Sequence, residues 1–278
     1  DKMTGRPIGT KGEWIDACMF GFADDTALIF DSRESLQRTT DQLIHIFERL
    51  GLGVHTKSVC NPKSKTQAMY IPALESPLQS PLPDDLIVNE LDPTDRTIPF
   101  TKQYVYLGYL LHHTLKDDHA IEARISAANQ LFGSMRKELL GAKGANKDVK
   151  KTIFVGMILA MLLYGAEGWV VSCTMQRRLR STYRRWVRSM CRVNLRSTRM
   201  QRISTASLLR QMGINDMQYY LDQRVLGWAG HVARMDKTRL PRQLLTSYLD
   251  TPRKSGGQSL TYGRILRNTL KRKGIEVN

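Results

Sequence analysis

The sequence predicts an α+β fold, in which short antiparallel hairpins with a packed helix are followed by an all-helical, strongly basic region. Three observations carry that reading. Apolar runs of strand length flank the acidic pair in GFADDTALIF and recur in YVYLGYLLH. From Asp118 the apolar residues change to helical spacing. The charge divides in the same sense: residues 1–150 hold 18 Lys+Arg against 20 Asp+Glu, whereas residues 151–278 hold 24 against 6. The whole surplus of +16 therefore lies in the second half.

Composition narrows the class. With 278 residues and 41% apolar content, the chain can bury a core and is not a disordered tail. Cys18, Cys60, Cys173 and Cys191 stand far apart with no CxxC pair, which speaks against a disulfide framework or zinc knuckle and for an intracellular setting. The longest apolar run, Ile153 to Ala166, is shorter than the roughly 20 residues of a membrane span, so it reads as a buried helix and no membrane partner is expected. No signal peptide is evident. The opening on Asp1 leads us to expect a fragment with its N-terminal part missing.

The first element is WIDACMFGFADDTALIF, read as two strands joined at Ala23-Asp24-Asp25. Ser32 then caps a helix carrying Leu36, Leu43, Phe47 and Leu50, which Gly51 and Gly53 stop. After a polar loop with Lys63, Lys65 and Thr66, QAMYIP reads as another strand; strand, helix and strand in this order predict a sheet with a helix on one face. Residues 72–99 hold six of the ten prolines among six acidic residues and read as a loop. YVYLGYLLH alternates bulky apolar residues about Gly108, as a tight hairpin or a bent strand pair would.

Past a boundary near residue 115, Ile121, Ile125, Ala128, Phe132, Met135 and Leu139 form one helical stripe ended by Gly141 and Gly144. A helix starting near Thr174 places Leu179, Tyr183, Trp186, Met190 and Val193 on one side, and Arg177, Arg184, Arg188, Arg192 and Arg199 on the other. No acidic residue lies between Glu167 and Asp216. A solvated face normally mixes both signs in supportive pairs, so an unbroken arginine face points to phosphate.

Adjacent aspartates inside a regular strand would force one carboxylate inward at a cost of several kcal/mol, whereas at a hairpin tip both reach solvent or a cation. Turn chemistry alone explains many such pairs. Carboxylate oxygens also suit Mg²⁺, which keeps its other positions for water and phosphate. The pair is thus half of a phosphoryl-transfer site.

The order of segments settles on a known pattern. Phe-Ala-Asp-Asp, a helix, GLGVHTKSVCNPKSKTQAMYIP, YVYLGYLL and then basic helices resemble the palm and thumb of a reverse transcriptase of the non-LTR retrotransposon type. Phe22-Ala23-Asp24-Asp25 match that family's metal-holding hairpin, with Phe22 where tyrosine is common. Gly51, Leu52, Lys65, Thr66 and Met69 match the motif after it, and Tyr106-Leu107-Gly108 match the primer-grip hairpin. LLYGAEGW and GWAGHVARM look like segments common in the C-terminal part of these proteins.

The resemblance implies a late palm over residues 1–115 and a basic thumb and C-terminal region over 116–278. It implies a two-ion Mg²⁺ site with Asp24 as principal ligand and Asp25 as a weaker one. Lys65 would neutralise or protonate the pyrophosphate, and Tyr106, Leu107 and Gly108 would press on the primer. The partners implied are RNA template, DNA primer and, for the full-length protein, deoxynucleoside triphosphates. The family's way of life implies nuclear residence. One departure counts: the family's other metal-binding aspartate lies well upstream of the hairpin, and Asp16 is too near to serve, so the chain alone is expected to be inactive. The competing reading is a non-catalytic basic helical module that binds nucleic acid, on which the aspartates are a turn.

Overall fold

Local chemistry sets the ends of the first helix. In the computed structural model, which describes residues 3–5, 13–15, 19–23, 25–57, 63–72, 82–88, 96–246 and 261–275, α1 (Arg33–Arg49) begins at Ser32, whose hydroxyl accepts from the Ser35 N–H at 3.1 Å. It ends before Gly51, at φ 73°, a conformation only glycine adopts without strain. Its buried residue is Ile44, with Leu36 packed beside it. Phe47 and Leu50, expected on the apolar stripe, are 38% and 68% exposed.

The strands form two-stranded ribbons. β1 (Met3–Gly5) and β2 (Glu13–Ile15) pair antiparallel, so Trp14 belongs to a separate ribbon and does not open the acidic hairpin. That hairpin is β3 (Met19–Phe22) against β4 (Asp25–Leu28), with Phe22 opposite Asp25. The stretch expected to be loop over 72–99 contributes β5 (Leu86–Ile87), which pairs with β6 (Thr97–Ile98). Leu86, Val88 and Ile98, all within that stretch, are at most 3% exposed and pack with Ile44 and Ala68. Strand alternation turns Leu86 and Val88 into the core and leaves Ile87 between them 44% exposed. Polar contacts fasten the stretch: Arg96 pairs with Glu48 at 2.7 Å, and Gln37 donates to the Ile87 carbonyl at 2.6 Å.

No strand forms at QAMYIP. Ala68 makes an isolated parallel bridge to Phe100, its N–H donating to the Pro99 carbonyl at 3.0 Å. The Thr101 N–H returns the bond to the Ala68 carbonyl at 2.8 Å, and the pairing goes no further than this bridge. β7 (Gln103–Tyr106) and β8 (Tyr109–His112) form the predicted hairpin, Tyr106 opposite Tyr109.

The chain divides into two units, Asp1–Lys116 with Thr246–Arg253, and Asp117–Leu245 with Lys254–Asn278. In the second, α2 (Asp118–Met135) buries Ile121, Ile125, Ala128 and Phe132 along one stripe. A π turn, Arg136–Leu140, replaces its expected last turn. The apolar run beyond it is α3 (Lys147–Ile153), a π turn at Phe154–Leu159, and α4 (Ala160–Leu162). Phe154, Ile158, Leu159 and Leu162 face inward while Met157 and Met161 are exposed, so this is a one-faced helix and not a wholly buried one. Among the described residues no helix is long and apolar enough to cross a membrane.

The helices that follow are α5 (Cys173–Met190), which packs against α2, then α6 (Leu195–Met200), α7 (Thr205–Met212), α8 (Met217–Ala233), α9 (Leu240–Thr246) and α10 (Tyr262–Arg272). Trp169 and Trp186 are core residues at 1% and 2% exposure. The Tyr183 hydroxyl donates to the Asn215 carbonyl, and burial pushes its pKa well above the usual phenol range.

One pair in this unit was not visible in the sequence. Asp222 of α8, 4% exposed, is held by Arg272 of α10 at 2.6 Å and by the Gln218 amide at 2.9 Å. The Arg272 side chain itself is 42% exposed. Arg272→Ala strands a buried carboxylate and should cost about 2 kcal/mol, lowering Tm by roughly 4–8 °C. Asp222→Ala leaves a guanidinium that can turn to water and should cost less; thermal unfolding of both variants checks the order.

Candidate functional site

Asp25 opens β4 on the exposed side of its hairpin, and its carboxylate has no side-chain partner among the described residues. Ala23, next to it in the connection, takes φ 54°. Asp24 lies outside the described residues. Phe22 and Met19, on the strand opposite, are 64% and 66% exposed. The hairpin therefore presents carboxylate and apolar surface together.

The second expected hairpin lies against the first. At the β7–β8 connection Leu107 and Gly108 have φ 47° and 75°, both positive as in a type I′ turn. Leucine in that conformation is strained by about 1 kcal/mol. The Tyr106 hydroxyl comes within 3.4 Å of the Phe20 carbonyl, which is long for an O–H···O bond. It is a contact that sets the two hairpins side by side more than a bond that holds them. What the structure shows between the two hairpins is this one contact, from Tyr106 to the Phe20 carbonyl of β3.

Lys65 makes no hydrogen bond or ion pair to either hairpin among the described residues. Its backbone N–H donates to His55 Nδ1 at 3.1 Å, and its exposed side chain has no partner among the described residues. The His112 and His113 rings lie 4.5 Å apart, and His112 Nδ1 is 2.8 Å from the Thr114 hydroxyl. Among the described residues no three His, Cys, Asp or Glu side chains converge.

On α5 the two faces separate as the periodicity predicts. Leu179, Tyr183, Trp186 and Met190 are at most 2% exposed, while Arg177 and Arg184 lie on the solvent side and Arg188 is half-buried. The helix stops at Met190, however, so Arg192 lies beyond it at φ 58° and Arg199 belongs to α6. The expected five-arginine face is in fact a row that leaves the helix. Partners divide these cations. Arg178 pairs with Glu122 at 2.7 Å, Arg180 donates to Gln218 and Arg185 to Asn129. Arg177, Arg184, Arg188 and Arg192 have no partner among the described residues.

Four further arginines, Arg196, Arg199, Arg202 and Arg210, are also exposed and unpaired among the described residues. The acid-free interval between Glu167 and Asp216 was the signal for them, although only Arg199 was singled out from the sequence. Burial raises the pKa of the Cys191 thiol, at the root of this row. If Arg184 and Arg188 meet phosphates, replacing each by alanine should lower the slope of log affinity against log salt by about one. Filter binding of a labelled RNA across a salt series reads this directly.

A wide hollow of about 570 Å³ lies among Asn215, Asp216, Tyr219, Asp222, Arg272 and Lys273. Its charges are mixed, and the Lys273 ammonium sits 5.0 Å from the Tyr219 ring.

Comparison with known proteins gives one lead. Over 218 residues, covering 77% of this chain and 70% of the relative, the sequence is 25% identical to an uncharacterized transposon-derived protein of Caenorhabditis elegans. No family model matches the chain. No solved structure matches it.

Proposed function

We propose that this chain is part of a non-LTR retrotransposon reverse transcriptase, its first unit working at the primer terminus and its second gripping the nucleic acid. The observation that carries the reading is the hairpin opened by Asp25, its carboxylate exposed and without a side-chain partner among the described residues, with the Tyr106 hydroxyl 3.4 Å from the Phe20 carbonyl of the same hairpin. The transposon-derived relative supports it.

Carboxylate oxygens suit Mg²⁺ in kind, and Asp24 and Asp25 are the residues that would hold it. When bound, the metal supplies charge neutralisation at an attacking 3′-hydroxyl and a departing pyrophosphate. The chain's own part is positional. Asp25 is exposed where a cation and a strand end can both reach it, and the rigid turn at Leu107 and Gly108 offers backbone against a primer. Lys65 enters only by resemblance, since it makes no hydrogen bond or ion pair to the hairpin among the described residues. In number the donors fall short: no third carboxylate joins Asp25 among the described residues, so the chain by itself should bind template and primer without extending it.

The alternative, a basic helical module with no catalytic role, is favoured by the unpaired arginine row. The two readings part on one experiment, in which the complete open reading frame is assayed for Mg²⁺-dependent extension of a DNA primer on an RNA template. Extension sensitive to Asp24 and Asp25 supports the polymerase reading; RNA binding without extension supports the module.

A further inference from the structure

The short helix α6 has no buried residue, yet its geometry is tightly fixed. The Asn194 side chain accepts from the Ser197 N–H at 2.7 Å, and the Thr198 hydroxyl donates to the Asn194 carbonyl at 2.8 Å. Ser197 and Thr198 are half-buried and turn toward the protein. At 3.6 residues per turn, Leu195, Arg199, Arg196 and Met200 follow one another within an arc of roughly 140° on the outward side. Leu195 is 51% and Met200 73% exposed.

Both ends of this knuckle are strained. After α5 the Val193 N–H donates to the Arg188 carbonyl and the Arg192 N–H to Ser189; after α6 the Ile203 N–H donates to Thr198 and the Arg202 N–H to Arg199. Each is a Schellman ending, in which the left-handed position is normally glycine. Here arginine occupies both, Arg192 at φ 58° and Arg202 at φ 50°. No acidic partner offsets either side chain among the described residues. Arginine at two sites where glycine would be more stable implies that the cation is used.

We infer that residues 192–202 form a docking knuckle for a nucleic-acid backbone, Arg192, Arg196, Arg199 and Arg202 meeting phosphates while Leu195 and Met200 pack on sugar or base. The inference rests on the proposed function and locates its principal grip off α5. Charge complementarity selects the occupant. A helix lying in an anionic membrane gathers its apolar residues at the centre of one arc with cations at the flanks. α6 has the reverse order, two arginines between two apolar edges, which suits a charged strand with apolar faces on either side.

The test uses the full chain with labelled single-stranded RNA, an RNA–DNA duplex, and phosphatidylserine vesicles. Arg192→Gly and Arg202→Gly should each raise Tm by about 1–4 °C, because the left-handed strain is relieved. Each should at the same time lower the salt slope by about one on whichever nucleic acid is bound. Met200→Ser should weaken binding about three- to ten-fold with the salt slope unchanged, since an apolar contact releases no counterions. Glycine variants that are stabilised but keep the wild-type slope overturn the inference, as does tighter binding to vesicles than to either nucleic acid. If Arg184→Ala weakens RNA binding while the knuckle variants do not, the proposed function stands and the knuckle falls. A wild-type chain that binds no nucleic acid removes both.

Discussion

Primer extension by the complete open reading frame should fall on the order of 10³-fold or more in Asp24→Ala, and by a smaller factor in Asp25→Ala. The asymmetry follows from the role each has under the proposed function. Losing a principal metal ligand removes several kcal/mol of charge stabilisation that exists only while the phosphoryl group is in transfer, so the loss belongs in the turnover rate and not in template affinity. Asp25 sits at the first position of β4, exposed and paired through its backbone with Phe22, so alanine there keeps the hairpin and deletes one weaker donor. Single-turnover extension rates, measured beside RNA binding by the same preparations, separate the two effects. Extension untouched by Asp24→Ala would leave the aspartates as a turn and the chain as a binding module.

Trp186→Ala should destabilise the second unit by about 3–5 kcal/mol, the largest stability effect expected of a single substitution here. The indole is 2% exposed, stacks on Phe132 at 5.6 Å between centroids, and meets Phe154 edge-on at 6.2 Å. Its Nε1–H donates to Asn129 Oδ1 at 3.0 Å, and that same oxygen accepts from Arg185. Alanine would leave a large void between α2, α5 and the helix through Phe154. Phenylalanine keeps most of the apolar contact and gives up only the hydrogen bond, for about 1–2 kcal/mol. Urea unfolding with unchanged m-values would give both numbers. A loss under about 1 kcal/mol for the alanine variant would show that the aromatic cluster is not the keystone described here.

What was legible in the sequence was whatever acts over a few residues. Ser32 caps α1, alternation about Gly108 gives β7 and β8, and the stripe through Leu179, Tyr183, Trp186 and Met190 is the buried side of α5. Two misreadings came from signals that were locally strong and globally outweighed. Prolines between residues 72 and 99 announced loop, yet Leu86, Val88 and Ile98 from that stretch pack with Ile44 and Ala68 in the first unit's core. The arginine face was extended through Arg192 and Arg199 because no glycine marked the end of α5; the residue in the glycine-favouring conformation is Arg192 itself. The Asp222–Arg272 pair joins positions fifty residues apart, and no pattern in the chain brings the two together before folding.

The contact between Tyr106 and Phe20 has a consequence in time. Its two ends are 86 residues apart. At ribosomal rates of about 5–20 residues per second, roughly 4–17 s separate their synthesis. For that interval the acidic hairpin is a bare two-stranded ribbon, marginal in water by itself, with Met19 and Phe22 facing outward. The nascent chain thus shows this apolar surface for seconds before the second hairpin has been made, and a chaperone arriving in that interval would find its target at the very segment on which the proposed chemistry depends.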